Sequence, residues 1–213
     1  MLRVFLLCSL VLSFTFSPVA GFSLHATQDK PSYETLLEQV KKRDPAADFT
    51  ALRLAYFDNP PKKSGDVEPK LSDSMLSAMR DKKYAKALEY AEKIIENKYV
   101  DINAHLIASV VNKEQGDAEK EQFHRYVADG LIKSILKSGD GKKPETAYTV
   151  IDTDEEYVIL RVYGLMPQRQ ALLEEKGHYY DRLDAVDPKT KDTVSLYFNI
   201  DRPYGALLKI FKQ

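Results

Sequence analysis

The sequence predicts an α+β protein in which tetratricopeptide-like helical hairpins precede a small antiparallel sheet unit of order βαβββα. Three observations lead there. Apolar residues recur at helical spacing from Tyr33 to about Lys137, with capping residues and short breakers between the runs. Beyond Lys137, β-branched and aromatic residues gather in short runs bounded by Gly, Pro and Lys turns. Helices in one block and strands in another imply separate α and β layers.

Residues 1–21 read as a secretory signal. Arg3 gives a positive start, Val4 to Phe16 is apolar apart from Ser9, Ser13 and Thr15, and Val19-Ala20-Gly21 offers a small-residue cleavage site. The apolar stretch is about thirteen residues, short of the ~20 that span a bilayer. Cleavage after Ala20 or Gly21 is therefore expected in preference to a retained anchor. Cys8 lies inside the apolar stretch, too early for a lipid-modified cysteine. It is the chain's one cysteine, so the expected mature protein has none. An exported protein without disulfides is ordinary for a bacterium. Some 190 residues can bury a sufficient core without cross-links.

The helical block, residues 22–137, follows. Ser32 is a fair N-cap for Tyr33–Arg43, and Asp44-Pro45 ends that helix. Asp48 or Thr50 opens a second helix carrying Leu52, Leu54, Ala55 and Tyr56. Asn59–Lys70 holds three prolines and a glycine, which predicts a loop. Four more helices are predicted at about Ser72–Arg80, Lys83–Asn97, Ile102–Gln115 and Ala118–Lys137, with Asp101 as an N-cap. Connections this short make consecutive helices antiparallel neighbours. Tyr84 and Ala118 are 34 residues apart, the tetratricopeptide period, and Tyr84-x-x-Ala87-Leu88-x-x-Ala91 fits the start of such a helix.

Residues 138–213 form the sheet unit. Ser138–Pro144 predicts a tight loop and Ala147–Ile151 a strand. Thr153-Asp154-Glu155-Glu156 fits a capping box with Thr153 as N-cap and Glu156 at the third position. Tyr157–Tyr163 would continue that helix to Gly164, although its residues also favour strand. Gln168–Leu173, Tyr179–Val186 and Thr193–Ile200 read as strands, with turns at Gly177-His178 and Pro188–Lys191. A last helix is predicted at Pro203–Lys212.

Composition excludes several classes. Loss of Arg3 takes the chain from 31 basic and 32 acidic side chains to 30 and 32, a net charge of −2. No long basic stripe is present, so nucleic acid is not an expected partner. No second apolar run is long enough to cross a membrane. No feature specifies an oligomeric state.

The strong catalytic motifs are missing: there is no His-Glu-x-x-His helix and no Gly-x-Ser-x-Gly elbow. Gly139-Asp-Gly-Lys-Lys lacks the spacing of a phosphate-cradling loop. Asp152-x-Asp154-x-Glu156 begins like a calcium loop, but Tyr157 stands where the turn needs Gly, and a helix start accounts for the same residues. No metal or other cofactor is expected.

Six residues remain as candidates. His105 and His124 lie on consecutive helices, and folding about Gly116-Asp117 brings them about one helical turn apart. Two imidazoles and a carboxylate could hold a metal, but no third ligand is suitably spaced, and a place at the core edge is the preferred reading. Asp140 and Glu145 flank the glycine loop, where acid–base work is conceivable and solvated loop charge is preferred. Tyr180 and Asp181 sit on a predicted strand, on opposite faces. Aromatic and carboxylate groups together suit a glycan or peptide groove, but they also suit any packed sheet.

Several segments occur in a characteristic order: Asp48-Phe-Thr-Ala-Leu-Arg-Leu-Ala-Tyr56, Asn103-Ala-His105, Gly130-Leu-x-x-Ser-Ile135, Ser138-Gly-Asp-Gly141, Glu145-Thr-Ala-Tyr148, Glu155-Glu-Tyr157 and Leu196-Tyr-Phe-Asn-Ile-Asp201. Together they resemble a bacterial family of exported proteins catalogued as a domain of unknown function, over nearly all of the expected mature chain. The resemblance implies a periplasmic or surface setting and carries over no catalytic residue.

The expected function is therefore a non-enzymatic binding module of the cell envelope. Its helical hairpins would present a concave surface to an envelope protein or peptide. The alternative is an envelope hydrolase acting on glycan or peptide, using some of His105, His124, Asp140, Glu145, Tyr180 and Asp181 around one pocket.

Overall fold

The computed structural model describes residues 30–61 and 69–210. The expected signal segment and most of the Asn59–Lys70 loop lie outside the described residues.

Helices α1 (Tyr33–Lys41), α2 (Phe49–Asp58), α3 (Pro69–Arg80), α4 (Tyr84–Asn97), α5 (Ile102–Glu114) and α6 (Ala118–Leu136) come first. Side-chain caps set four of their starts. Ser32 Oγ accepts from Thr35 N, Asp48 from Ala51 N, Asp101 from Ala104 N, and Asp117 from Lys120 N, at 2.9–3.2 Å. Each cap is worth about 1 kcal/mol. Tyr84 and Ala118 each begin a helix, in keeping with the 34-residue spacing.

From α3 to α6 each helix packs on the next. The contacts between α3, α4 and α5 are made by Met75, Ala78, Ala87, Ala91, Ile94, Ala104, Ala108 and Val111, all buried. The many alanines let these helix axes approach closely. A second cluster joins α1, α2 and α6 to the sheet through Leu36, Val40, Leu52, Leu131, Ile135, Ile159, Leu183 and Phe198. Complete burial of a Leu, Ile or Phe side chain contributes roughly 1.5–3 kcal/mol.

The sheet unit comprises β1 (Tyr148–Thr149), α7 (Thr153–Val162), β2 (Met166–Glu175), β3 (His178–Val186), β4 (Thr193–Asn199) and α8 (Asp201–Ile210). The order βαβββα holds. The sheet is mixed, however: its order is β1-β4-β3-β2, and β1 runs parallel to β4 while the other pairs are antiparallel. Pairing with β4 limits β1 to two residues, shorter than the expected Ala147–Ile151. The β2–β3 turn is Lys176-Gly177, both with positive φ, so His178 belongs to the strand. Two positive-φ residues make the tight turn that suits a twisted hairpin.

Asp152, and not Thr153, caps α7, accepting from Asp154 N at 2.9 Å. Glu155 then occupies the third position and reaches back to Ile151 N at 2.9 Å. Glu155 and Glu156 point in different directions, because successive helical residues are rotated by about 100°. Helix prevails over strand for Tyr157–Val162, and Gly164, at φ 70°, ends it.

Candidate functional site

Two helix starts meet at one place. Asp101 caps α5 and Asp152 caps α7, each through Oδ1. Their Oδ2 atoms both face Lys98 Nζ, at 3.4 Å from Asp101 and 2.6 Å from Asp152. Lys98 therefore clasps the two caps. Burial alone would pull its ammonium down in pKa, but Asp101 and Asp152 outweigh that and hold it charged. Burial pushes Asp152 up, and Lys98 more than reverses it.

This clasp forms one end of a cleft of about 450 Å³ between α3, the start of α5, and α7. Leu76 and Tyr157, both partly exposed, supply apolar rims. Asp73 and Asp154 add carboxylates, and Arg161, which donates to Asn103 Oδ1, adds a cation. The Asp154 carboxylate accepts no hydrogen bond among the described residues, and burial followed by repulsion from Asp152 raises its pKa. Four aspartates thus face one lysine and one arginine, leaving the cleft acidic.

The Asp152-x-Asp154-x-Glu156 run does not converge on a point. Asp152 is held by Lys98, while Glu156 turns into the core behind α7. There it lies against Asp181 of β3. Two ionised carboxylates cannot hydrogen bond each other, and neither Glu156 oxygen has a donor. A proton kept on Glu156 resolves this, making it the donor and Asp181 the acceptor. Burial first, and Asp181 second, push Glu156 up to about 9. Asp181 also accepts from Gln170 Nε2 at 2.7 Å, and Gln170 Oε1 accepts from the Tyr157 hydroxyl at 3.3 Å. Tyr157 thereby links the cleft rim to the buried pair.

The six candidates fall in separate places. His105 and His124 do meet, Nδ1 to Nδ1, at 3.0 Å. His105 is fully buried, and its Nε2 lies 2.9 Å from the Tyr99 carbonyl. A carbonyl only accepts, so Nε2 carries the hydrogen, and the Nδ1 of His105 must accept from that of His124. Asp140 accepts from Lys142 N and from the Thr146 hydroxyl, and so ties its own loop. Gly139 and Gly141 are required there. A Cβ at Gly139 would lie 2.2 Å from Thr146 O, and Gly141 has φ 67° with the Tyr148 ring 2.4 Å from its Cβ position. Glu145 is exposed, 3.6 Å from Lys176. Tyr180 is buried on the face opposite Asp181, with its ring beside His178. No hydrogen bond or ion pair joins the histidine pair, the glycine loop and Asp181 to one another among the described residues.

Sequence reasoning missed Lys98, Asp101, Asp154 and Arg161 as a set, and it missed the buried ion pair of Arg53 with Glu155. Arg53, Ser134 and Glu155 come from three of the ordered segments, and they meet in one hydrogen-bonded group. Their signal was present as an arginine within the apolar run Leu52-Arg53-Leu54.

A family model described as a domain of unknown function, DUF4919, matches residues 25–208. No curated protein and no solved structure matches the chain.

Proposed function

Because the chain belongs to this family of unknown function, the cleft must speak for it, and we propose that the protein is a non-enzymatic binding module of the bacterial cell envelope. It is exported by the signal in residues 1–21, and its cleft between α3, α5 and α7 takes a basic segment of a partner protein or peptide. The observation that carries this is the Asp154 carboxylate, which accepts no hydrogen bond among the described residues and lines, with Asp73, Leu76 and Tyr157, a cleft where four aspartates outnumber Lys98 and Arg161. A lysine or arginine side chain followed by an apolar one suits that lining. We read α3–α6 as two tetratricopeptide-like hairpins, an architecture that presents a groove to extended ligands. No helix among the described residues is long and apolar enough to cross a membrane.

The test is titration of the purified protein with labelled peptides that pair one Lys or Arg with one Leu or Phe, against acidic and neutral counterparts. Binding confined to the basic series, weakened about tenfold by Asp154→Asn and by added salt, is expected. Equal binding of acidic peptides, or an Asp154→Asn protein that binds as tightly, would overturn the reading. Fusion of residues 1–30 to a reporter active only outside the cytoplasm checks export. Cross-linking in a bacterial host then asks which envelope protein carries the segment.

A further inference from the structure

Strand β2 is an outer strand of the sheet, and one of its edges is unpaired among the described residues. Its backbone phase follows from the register. Tyr179 O accepts from Ile200 N, so the odd-numbered residues of β3 face β4 and its even-numbered ones face β2. Their partners on β2 are Ala171, Leu173 and Glu175. Gln170, Leu172 and Glu174 therefore direct their N–H and C=O groups away from the sheet. None of those groups bonds to another element among the described residues. The Leu172 side chain, 52% exposed, lies in the middle of this edge.

Natural sheets blunt such edges with proline, bulges and charge. Here Pro167 and the irregularity between Pro167 and Arg169 protect only the start of β2. From Arg169 to Glu175 the strand is regular.

We propose that β2 pairs antiparallel with β2 of a second copy of this chain, about a two-fold axis through Leu172, so that one sheet continues across both copies. A two-fold axis perpendicular to a sheet preserves its faces, so it pairs residues of like parity. With the axis at Leu172, Leu172 meets Leu172 of the other copy, Gln170 meets Glu174, and Arg169 meets Glu175. The outward backbone groups then exchange paired N–H···O bonds, the exposed leucines cover each other, Arg169 meets its opposite charge in Glu175, and Glu174 faces the neutral Gln170 amide. An axis at Ala171 would set Arg169 against Leu173, and one at Leu173 would set it against Gly177. Charge complementarity therefore selects both the second copy as occupant and the register. This surface is separate from the peptide cleft, and the inference does not depend on the cleft's ligand.

Sedimentation equilibrium of the wild-type protein and four variants tests it. The wild type is expected to dimerise in a concentration-dependent way. Glu175→Arg places like charges across the axis and should weaken the dimer about tenfold or more. Arg169→Glu should do the same, while the double variant R169E/E175R should recover the dimer. Within the chain Arg169 also binds Asp184 and Glu175 lies 3.3 Å from Lys176, so recovery by the double variant is the decisive comparison. Leu172→Pro removes an outward N–H without touching the β3 ladder and should yield a monomer with an unchanged helical spectrum. A wild type that stays monomeric throughout would overturn the proposal. So would a dimer indifferent to Leu172→Pro, or charge reversals that the double variant fails to rescue. Capture of a foreign extended peptide on a monomeric wild type would assign the edge to another occupant.

Discussion

The guanidinium of Arg53 grips the carboxylate of Glu155 with two hydrogen bonds, 2.9 Å from Nε and 2.6 Å from Nη2. The residues are 102 positions apart and both are buried. Arg53 also donates to Ser134 Oγ at 3.0 Å and to Thr149 O at 3.1 Å. Glu155 accepts from Ile151 N as well, so the pair is hydrogen-bonded on all sides. It ties α2 and α6 of the helical block to β1 and α7.

Breaking that pair on one side leaves a buried charge without its partner. Arg53→Met should destabilise by about 3–5 kcal/mol, read from urea unfolding. Glu155→Gln should cost less, because the amide oxygen can still accept from Arg53. The R53M/E155Q double variant should lose less than the sum of the singles, since the two changes remove one interaction. Additive losses would mean the pair is not coupled.

Glu156 predicts the opposite of ordinary acid denaturation. Its folded-state pKa of about 9 lies above the 4.5 of an unperturbed Glu. The stabilising proton is present in full below the unfolded value and is lost as pH rises through the folded one. Unfolding free energy should therefore fall from about pH 5 to about pH 9, by up to about 1.4 kcal/mol per unit from this group. Glu156→Gln keeps a donor toward Asp181 and should flatten that slope. An unchanged slope in the variant would assign the pH dependence elsewhere.

The histidine pair sets the acid side. Burial first, and His124 second, hold His105 down at about 3. An unfolded histidine takes up a proton near 6.5, and the folded His105 does not. Stability from this group is thus complete above about 6.5 and falls as pH drops toward 3. Long-range nitrogen–proton NMR spectra should show His105 as the Nε2–H tautomer and His124 as Nδ1–H across neutral pH. A His105 that titrates near 6.5 would contradict the geometry.

Much of the fold was legible because its signals are local. Ser32, Asp48 and Asp101 announce their helices within three residues, while the hairpin turn expected at Gly177-His178 falls one residue earlier, at Lys176-Gly177. Proximity of His105 to His124 was legible too, since a short connection at Gly116-Asp117 leaves two helices little choice of register. The capping box at α7 was read one residue late. Asp152 and Thr153 are both good caps, and Asp152, the one used, also bonds Lys98, which lies 54 positions away.

Sequence alone thus determined the α+β division, the helix and strand positions, and the absence of cysteine after Cys8. Each depends on composition or on neighbours within about a turn of helix. Tertiary structure alone decided that β1 runs parallel to β4, that Arg53 is an interior ion-pair partner instead of a surface cation, and that Lys98 draws two helix caps around an acidic cleft. Those outcomes depend on which faces of distant segments meet. Burial and pairing of charge follow from that meeting, and no local pattern encodes it.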